Sequence, residues 1–213
     1  MSRFPRPLPA GRRHLAALAG PLDALAADVG RLERWGFELA GVLAGGGRLL
    51  AAGNGGSAAQ AQHLTAELVG RYRDDRPAFS AIALCAEGAA LTAIGNDYGF
   101  AEQFARQVRG HGRPGDVLVA LSTSGSSPNV VAAAEAASDC GMTVWALTGP
   151  PGNLLAEAAD DAVCVDSPHT ATIQEIHLIA VHLLCAAFDD ALTRRRTLSS
   201  SPGGELAASE VRR

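Results

Sequence analysis

Lysine is missing from this sequence: all 18 basic residues of the 213-residue chain are arginine. This absence excludes the chemistry that needs an amine side chain, namely Schiff-base catalysis, lysine acid or base catalysis and the phosphate-binding lysine of a P-loop. An anion site in this chain must therefore use arginine, hydroxyl groups or backbone N–H groups.

Cysteines are few and scattered, and long apolar runs are absent. The four cysteines form no C-x-x-C pair, which argues against a disulfide framework or a cysteine zinc site. We therefore expect reduced thiols and a cytoplasmic protein. No apolar run approaches the roughly 18 residues that a membrane span requires, so none is predicted.

An excess of positive charge is also lacking, since the net charge is −4, and this disfavours general nucleic-acid binding. Hydrophobic residues make up 47% of the chain and charged residues 19%, which excludes disorder for most of it. The length suits a single domain. We expect a flexible N-terminus over residues 1–13, one domain over 14–196, and a Ser/Gly-rich, disordered tail over 197–213.

Short apolar runs alternate with helical patterns along the chain. Five runs predict strands, and they lie at residues 48–52, 81–84, 117–121, 143–147 and 162–165. Helices are predicted over residues 14–44 with a break near Gly30, and over 58–70, 128–140 and 172–195. Continuous apolar strands separated by helices predict an α/β fold, a doubly wound parallel sheet covered on both faces. Ligands bind at the carboxyl ends of such strands.

Two loops of small polar residues follow the first and third predicted strands. The first is Gly-Asn-Gly-Gly-Ser over residues 53–57, and the second is Ser-Thr-Ser-Gly-Ser-Ser over 122–127. Ser57 with Gln60 fits a capping box, and Pro128 suits a first helical position, which makes Ser127 the predicted N-cap. Hydroxyl and N–H groups would then converge at two helix N-termini, where an anion is favoured. The first loop also matches a dinucleotide fingerprint loosely, and a Ser-rich loop alone is often only a polar turn.

Two predicted helices carry residues suited to acid–base or metal chemistry. His63 and Glu67 are four residues apart and share one helix face. Gln174 and His182 are eight apart, about 80° around a helix, so one broad face holds both. The set can ligate zinc or supply an acid and a base. His177 is interpreted as structural.

Four motifs in order resemble the SIS (sugar isomerase) domain family, and within it the phosphoheptose isomerases. They are GNGGSAAQAQHLTAELVGRY, AIGNDYGF, LSTSGSSPNVV and IQEIH-x4-H, and the resemblance covers about residues 14–192. It implies a five-stranded parallel sheet, flavodoxin-like in order, between helices. It also implies a homotetramer with active sites at subunit interfaces and the N-terminal helices in the oligomer core.

The resemblance assigns roles to residues of this chain. It implies Glu67 and His182 as the catalytic pair, and zinc ligation by His63, Glu67, Gln174 and His182. The positions it implies for phosphate and sugar binding are Asn54, Gly55, Gly56, Ser57, Glu67, Arg71, Asn96, Asp97, Ser122, Thr123, Ser124, Ser127 and Gln174. One departure is Ala171, where some members carry an acidic residue.

The implied reaction is aldose–ketose isomerisation of sedoheptulose 7-phosphate to D-glycero-D-manno-heptose 7-phosphate by proton transfer through an enediol. The residues leave open whether Glu67 and His182 act as base and acid or hold Zn²⁺. Other SIS proteins act on different sugar phosphates, and one is a non-enzymatic adaptor that binds the replication initiator. That adaptor lacks the catalytic Glu and the final His, both of which this chain has. A nucleotide-binding Rossmann protein is a further alternative, which leaves the Ser-rich loop unexplained.

Overall fold

A computed structural model describes residues 9–199 as a parallel sheet between two layers of helices. The strands are β1 Leu49–Gly53, β2 Ala81–Ala83, β3 Val117–Ser122, β4 Thr143–Thr148 and β5 Asp161–Cys164. The helices are α1 Ala10–Leu25, α2 Val29–Ala44, α3 Gly56–Val69, α4 Gly88–Tyr98, α5 Glu102–His111, α6 Pro128–Asp139, α7 Leu154–Ala158 and α8 Thr170–Ser199. All five predicted strands are present, and all are parallel.

The strand order β2-β1-β3-β4-β5 is that of a flavodoxin-like sheet, which confirms the predicted fold class. The strand order reverses at β1 and β3: β2 is added on one side of β1, and β3 and the later strands are added on the other side. The connections leaving these two neighbouring strands therefore diverge to opposite faces of the sheet. The gap between them is where α/β folds bind their ligands, and it holds the two predicted anion loops.

Both faces of the sheet are buried because alternate strand residues point to opposite sides. Val117 and Val119 belong to a core shared with α2, α3 and α8, whereas Leu118 and Ala120 pack against α5, α6 and α7. Every residue of β1 and β3 is buried, as the continuous apolar runs predict. The sheet is thus a rigid support for the loops at its carboxyl edge.

The long helix α8 packs against α1, α2 and α3. Within the described residues one helix is apolar and long enough to cross a membrane by length and composition, and it is α8 over Thr170–Thr197. Half of its most apolar window is buried in the protein, as in the core helix of a globular domain. Its position beside α3 brings the predicted acid–base residues of the two helices together.

The ends of the domain differ from the expectation. Helix α1 begins at Ala10, so residues 10–13 are helical, while residues 1–8 lie outside the described part. Helix α8 continues to Ser199, so residues 197–199 of the predicted tail are helical, and residues 200–213 lie outside the described part. The break between α1 and α2 is a 3₁₀ turn at Ala26–Asp28, before Gly30.

Three helices, α4, α5 and α7, are not anticipated by the sequence pattern. Helix α4 starts after Glu87, whose carboxylate accepts from the N–H groups of Ala89 and Ala90. Glutamate is not among the preferred N-cap residues, and glycine lies within the helix, so local sequence signals are weak there. Tertiary packing of α4 on α5, and of α5 on α6, stabilises these helices instead.

Candidate active site at the edge of the sheet

The two glycine- and serine-rich loops meet at the carboxyl edge of the sheet. Strands β1 and β3 pair in register from Leu49 with Val117 to Gly53 with Leu121, so both strands end at nearly the same level. Residues 54 and 55 then lead into α3 and residues 123–127 into α6. The predicted convergence of two helix N-termini at one edge is confirmed.

The first loop enters α3 without the predicted capping box. The N-cap is Gly55, at φ 53°, a conformation that L side chains rarely adopt, and the helix begins at Gly56. Ser57 is therefore buried inside the first turn, and Gln60 donates to the carbonyl of Gln174 on α8 instead of reaching back to the N-cap. The capping-box prediction was wrong because glycine permitted an earlier turn.

Gln174 occupies a fixed place against this loop. A Cβ added at Gly56 would lie 2.4–2.7 Å from the Gln174 side-chain amide atoms. The side chain of Gln174 thus lies over the first turn of α3, and its backbone carbonyl is held by Gln60. This contact brings α8 to the anion loop, one end of the candidate site.

The second loop presents three hydroxyl groups at the start of α6. The Oγ atom of Ser122 lies 3.4 Å from that of Ser124 and 3.2 Å from that of Ser127. Ser127 is the N-cap and Pro128 the first helical residue, as predicted. The Ser127 side chain makes no capping hydrogen bond. Pro128 has no N–H and the Val130 N–H donates to the Ser127 carbonyl, so it is the Asn129 N–H of this turn that stays available for an anion.

The loop after β4 holds this serine loop in shape. Gly125 has φ 61°, and a Cβ there would lie 2.0 Å from the Oδ1 atom of Asn153. A Cβ at Gly149 would lie 2.0 Å from the carbonyl oxygen of Thr123. Backbone approach this close leaves the serine loop little freedom, which suits a preorganised anion site.

A partly buried amide pair, which sequence reasoning missed, joins the two loops. The Nδ2 atom of Asn54 donates to Oδ1 of Asn129 over 2.8 Å, and Nδ2 of Asn129 donates back over 2.9 Å. Asn129 is fully buried in the first turn of α6. Its only signal in the sequence is an asparagine directly after the helix-starting proline.

A cluster of His63, Glu67 and His182 forms where α3 and α8 lie side by side. The Nε2 atoms of the two histidines are 3.1 Å apart, and Nε2 of His63 is 3.2 Å from Oε1 of Glu67. Tyr72 lies against His182, with ring centroids 5.7 Å apart. The two helices thus meet at these residues, which their spacing in the sequence left open, and the cluster stays partly accessible to solvent.

These distances fit a metal ion. One ligand atom from each of the three residues lies within 4.8 Å of the other two. Zinc bound tetrahedrally at 2.0–2.2 Å holds its nitrogen and oxygen ligands about 3.3 Å apart, close to the spacing found here. Two imidazoles and one carboxylate that leave a fourth position open are typical of a catalytic zinc site.

Two further polar groups of α8, Cys185 and His177, are buried. Burial, and after it the nearby carboxylates of Glu67 and Asp189, raises the pKa of Cys185 to about 12, so it is an uncharged thiol. Burial lowers the pKa of His177 to about 4 against the opposing effect of its hydrogen bond with Thr148. The Nε2 atom of His177 lies 2.9 Å from that carbonyl oxygen, which only accepts, so Nε2 carries the proton. His177 is structural, as predicted.

Three predicted site residues are not joined to the loops by a hydrogen bond within the described part of one chain. Arg71 is exposed at the far end of α3 and donates to the carbonyl of Arg73. Asn96 and Asp97 are exposed at the end of α4 and bond to each other over 2.8 Å. Ala171, the departure from the family pattern, is exposed in the first turn of α8.

Comparisons with known proteins give a consistent result. The SIS domain model matches residues 22–149. A phosphoheptose isomerase of Streptomyces coelicolor is 64% identical over 85% of this chain and 78% of its own length, and one of Thiobacillus denitrificans is 48% identical over 83% and 91%. The structure is similar to a phosphoheptose isomerase from Neisseria gonorrhoeae, with a TM-score of 0.77 and 42% identity over 84% of this chain and 96% of that one. For the phosphoheptose isomerase from Francisella tularensis the TM-score is 0.75 and the identity 37%, over 83% of this chain and 92% of that one.

Proposed function

The chain belongs to the SIS domain family, and from this premise we propose that it is an aldose–ketose isomerase converting sedoheptulose 7-phosphate to D-glycero-D-manno-heptose 7-phosphate. The observation that carries the proposal is the distance between two sites on one helix. Helix α3 begins at the anion loop, and His63 follows about 10 Å further along its axis. An extended seven-carbon sugar phosphate has a comparable length, so phosphate at one end would place C1 and C2 at the other.

The loops supply the phosphate site in this proposal. Ser122, Thr123, Ser124 and Ser127 surround the start of α6, and residues 54–57 surround the start of α3. Two helix N-termini lined with hydroxyl groups favour a dianion without any lysine. Binding energy from the phosphate would hold the reacting carbons in position, which raises the rate by orientation.

Glu67 and His182 would move the protons. Glu67 removes a proton from C1 of the ketose while His182 protonates the oxygen on C2, which gives the enediol. Glu67 then returns a proton to C2, and His182 accepts the proton of the oxygen on C1, which becomes the aldehyde. No electron donor or acceptor is needed. Glu67 and His182 lie on adjacent helices within one cluster, as this exchange requires.

Zinc is the metal that we propose for the cluster, with His63, Glu67 and His182 as ligands. The side chain of Gln174, which the resemblance implies as a fourth ligand, lies against Gly56 at the anion loop, about 12 Å along α8 from His182. When bound, zinc supplies a Lewis acid that polarises a carbonyl or hydroxyl oxygen. A carboxylate that binds the metal is a weaker base, so the metal content decides which role Glu67 takes. The ligand spacing described above supports the assignment.

We further propose a homotetramer in the cytoplasm. Helix α1 buries only Leu25, and it exposes 68% of Leu15 and 47% of Leu22, which are seven residues apart and therefore share one helix face. A surface helix with an exposed apolar face is typical of an interface between subunits. A second copy would also supply the residues, such as Arg71, that one chain leaves away from the loops. Light scattering should give about 87 kDa, four times the 21.8 kDa of one chain.

The test of the activity is turnover of sedoheptulose 7-phosphate by the purified chain, with the isomers separated by chromatography. We expect the aldose product, a loss of activity with a zinc chelator, and recovery when zinc is added back. Other ketose and aldose phosphates run in parallel should react more slowly. If only another sugar phosphate were turned over, that compound would be the substrate in place of sedoheptulose 7-phosphate. Binding to the replication initiator without turnover would favour the adaptor alternative.

A further inference from the structure

A buried arginine lies behind the His63–Glu67–His182 cluster. Arg76 follows α3 in the connection to β2, and its side chain is only 7% exposed. Its Nε atom lies 2.8 Å from Oδ1 of Asp189 on α8. Its two Nη atoms donate to the backbone carbonyls of Glu67 over 2.5 Å and of Leu68 over 3.0 Å.

The chemistry of this contact favours arginine. The last carbonyl groups of a helix have no partner within the helix, and the negative end of the helix dipole lies there. Glu67 and Leu68 belong to the last turn of α3, so the Arg76 guanidinium satisfies two of these carbonyls. The planar fork of arginine can reach them and the carboxylate of Asp189 at once, which the single charge of lysine cannot do.

Two aromatic rings fix the plane of the guanidinium. Its central carbon lies 5.6 Å from the ring centroid of Phe79 and 5.3 Å from that of Phe188. The rings themselves meet edge to face, with centroids 5.3 Å apart. The ion pair of Arg76 with Asp189 is therefore held in one orientation by the packing of the two rings.

We propose that Arg76 is a positioning residue that sets the spacing between Glu67 and His182. Asp189 lies seven residues after His182, about two turns further along the same side of α8. Arg76 thus connects the turn of α3 that carries Glu67 to the face of α8 that carries His182. The inference rests on the proposed function, because it assigns Arg76 a part in the same site.

Arg76 lies far from the anion loop, so its effect on the cluster can be distinguished from an effect on phosphate binding. Leu68 is twelve residues after Gly56, so Arg76 contacts α3 about 18 Å from the anion loop. Loss of Arg76 should therefore lower kcat and leave KM for the sugar phosphate unchanged. It should also weaken metal binding at the cluster, because two of its ligands change their spacing.

The experiment compares three variants in the full-length chain. Arg76→Met keeps the packing between Phe79 and Phe188 but leaves Asp189 as an unpaired buried charge, so Arg76→Met with Asp189→Asn removes the pair together. Arg109→Met, which removes an exposed ion pair with Glu102 on α5, is the matched control. The measurements are kcat and KM, the thermal unfolding midpoint, and cobalt titration followed by absorbance.

We expect the double variant to fold, with kcat about 10-fold to 100-fold lower, KM unchanged and cobalt affinity lowered by a similar factor, as for other residues that orient metal ligands. The control, Arg109→Met, should match the wild type in its kinetic constants, its thermal unfolding midpoint and its cobalt affinity. A double variant with wild-type kcat and cobalt affinity would overturn the inference, as would a rise in KM of the same size as the fall in kcat. A wild type that binds cobalt but does not isomerise would reject the proposed function, and the titration would then decide the inference alone.

Discussion

Asn54 and Asn129 exchange two side-chain hydrogen bonds, 2.8 and 2.9 Å long, across the point where the sheet order reverses. Each amide donates one hydrogen and accepts one, so the pair is fully complementary. Asn54 belongs to the loop before α3 and Asn129 to the first turn of α6. The bond therefore fixes the relative position of the two helix N-termini that we propose as the phosphate site.

Asn129→Asp should disrupt this pair, because a carboxylate cannot donate back to Asn54 and adds negative charge beside the phosphate. We expect KM for the sugar phosphate to rise about tenfold. The free energy of unfolding should fall by about 1–3 kcal/mol, because one hydrogen bond of the pair is lost. Steady-state kinetics and urea unfolding measure both. Ser138→Ala, at the exposed end of α6, is the control, and an unchanged KM in Asn129→Asp would argue against the shared anion site.

Glu67→Gln should abolish turnover while leaving the fold intact. The amide keeps the size of the side chain but cannot accept the C1 proton, and the loss of an acid–base group costs about 10²–10⁴-fold in kcat. Progress curves at high enzyme concentration and circular dichroism provide the measurements. Glu102→Gln, on the surface of α5, should keep wild-type activity. An active Glu67→Gln enzyme would remove Glu67 from the proposed mechanism.

Gly125→Ala should damage the serine loop. The new Cβ would meet Asn153 at 2.0 Å, and the positive φ of this position is strained for alanine. We expect the free energy of unfolding to fall by about 2 kcal/mol or more. Gly110→Ala is the matched control, since Gly110 lies in α5 with nothing within 4 Å of its Cβ position. That change should be neutral or stabilise the helix by up to about 1 kcal/mol. Equal stability of the two variants would contradict the packing described here.

Stability should fall in mild acid because of His177. Its folded pKa is about 4 against an unfolded value of 6.5, so the unfolded chain takes up a proton first as the pH falls. The contribution of His177 to the free energy of unfolding therefore keeps its full value above about pH 6.5 and falls as the pH drops towards 4. At pH 5 the loss due to His177 is about 2 kcal/mol. Urea unfolding from pH 8 to 5 measures it, with His177→Gln as the comparison. Because glutamine does not titrate in this range, a variant with the same pH slope as the wild type would exclude His177 as the cause.

Much of the site could be predicted from the chain because its signals are local. The apolar runs of β1 and β3 and the polar loops that follow them are contiguous in sequence, as are His63 and Glu67 on one helix face. A parallel sheet brings strand ends to one edge whatever the details of packing. Fold class and loop placement therefore needed no coordinates.

What remained unpredictable depends on contacts between distant segments. Helix α4 has weak local signals and is stabilised by its packing, and the start of α3 is decided by the backbone freedom of Gly55 rather than by Ser57. The pairing of Asn54 with Asn129 spans 75 residues, and that of Arg76 with Asp189 spans 113. Neither spacing carries a pattern that a sequence can display.

The sequence by itself determined the chemistry available to this protein. Without lysine, an anion must be held by hydroxyl groups, N–H groups and arginine, and the two polar loops at strand ends supply the first two. Only the tertiary structure decided which side chains meet: His63 with His182, Asn54 with Asn129, and Arg76 with both α3 and α8. The physical reason is that residue type and local spacing are properties of the chain, whereas a hydrogen bond of about 3 Å requires two helices to pack at one defined register.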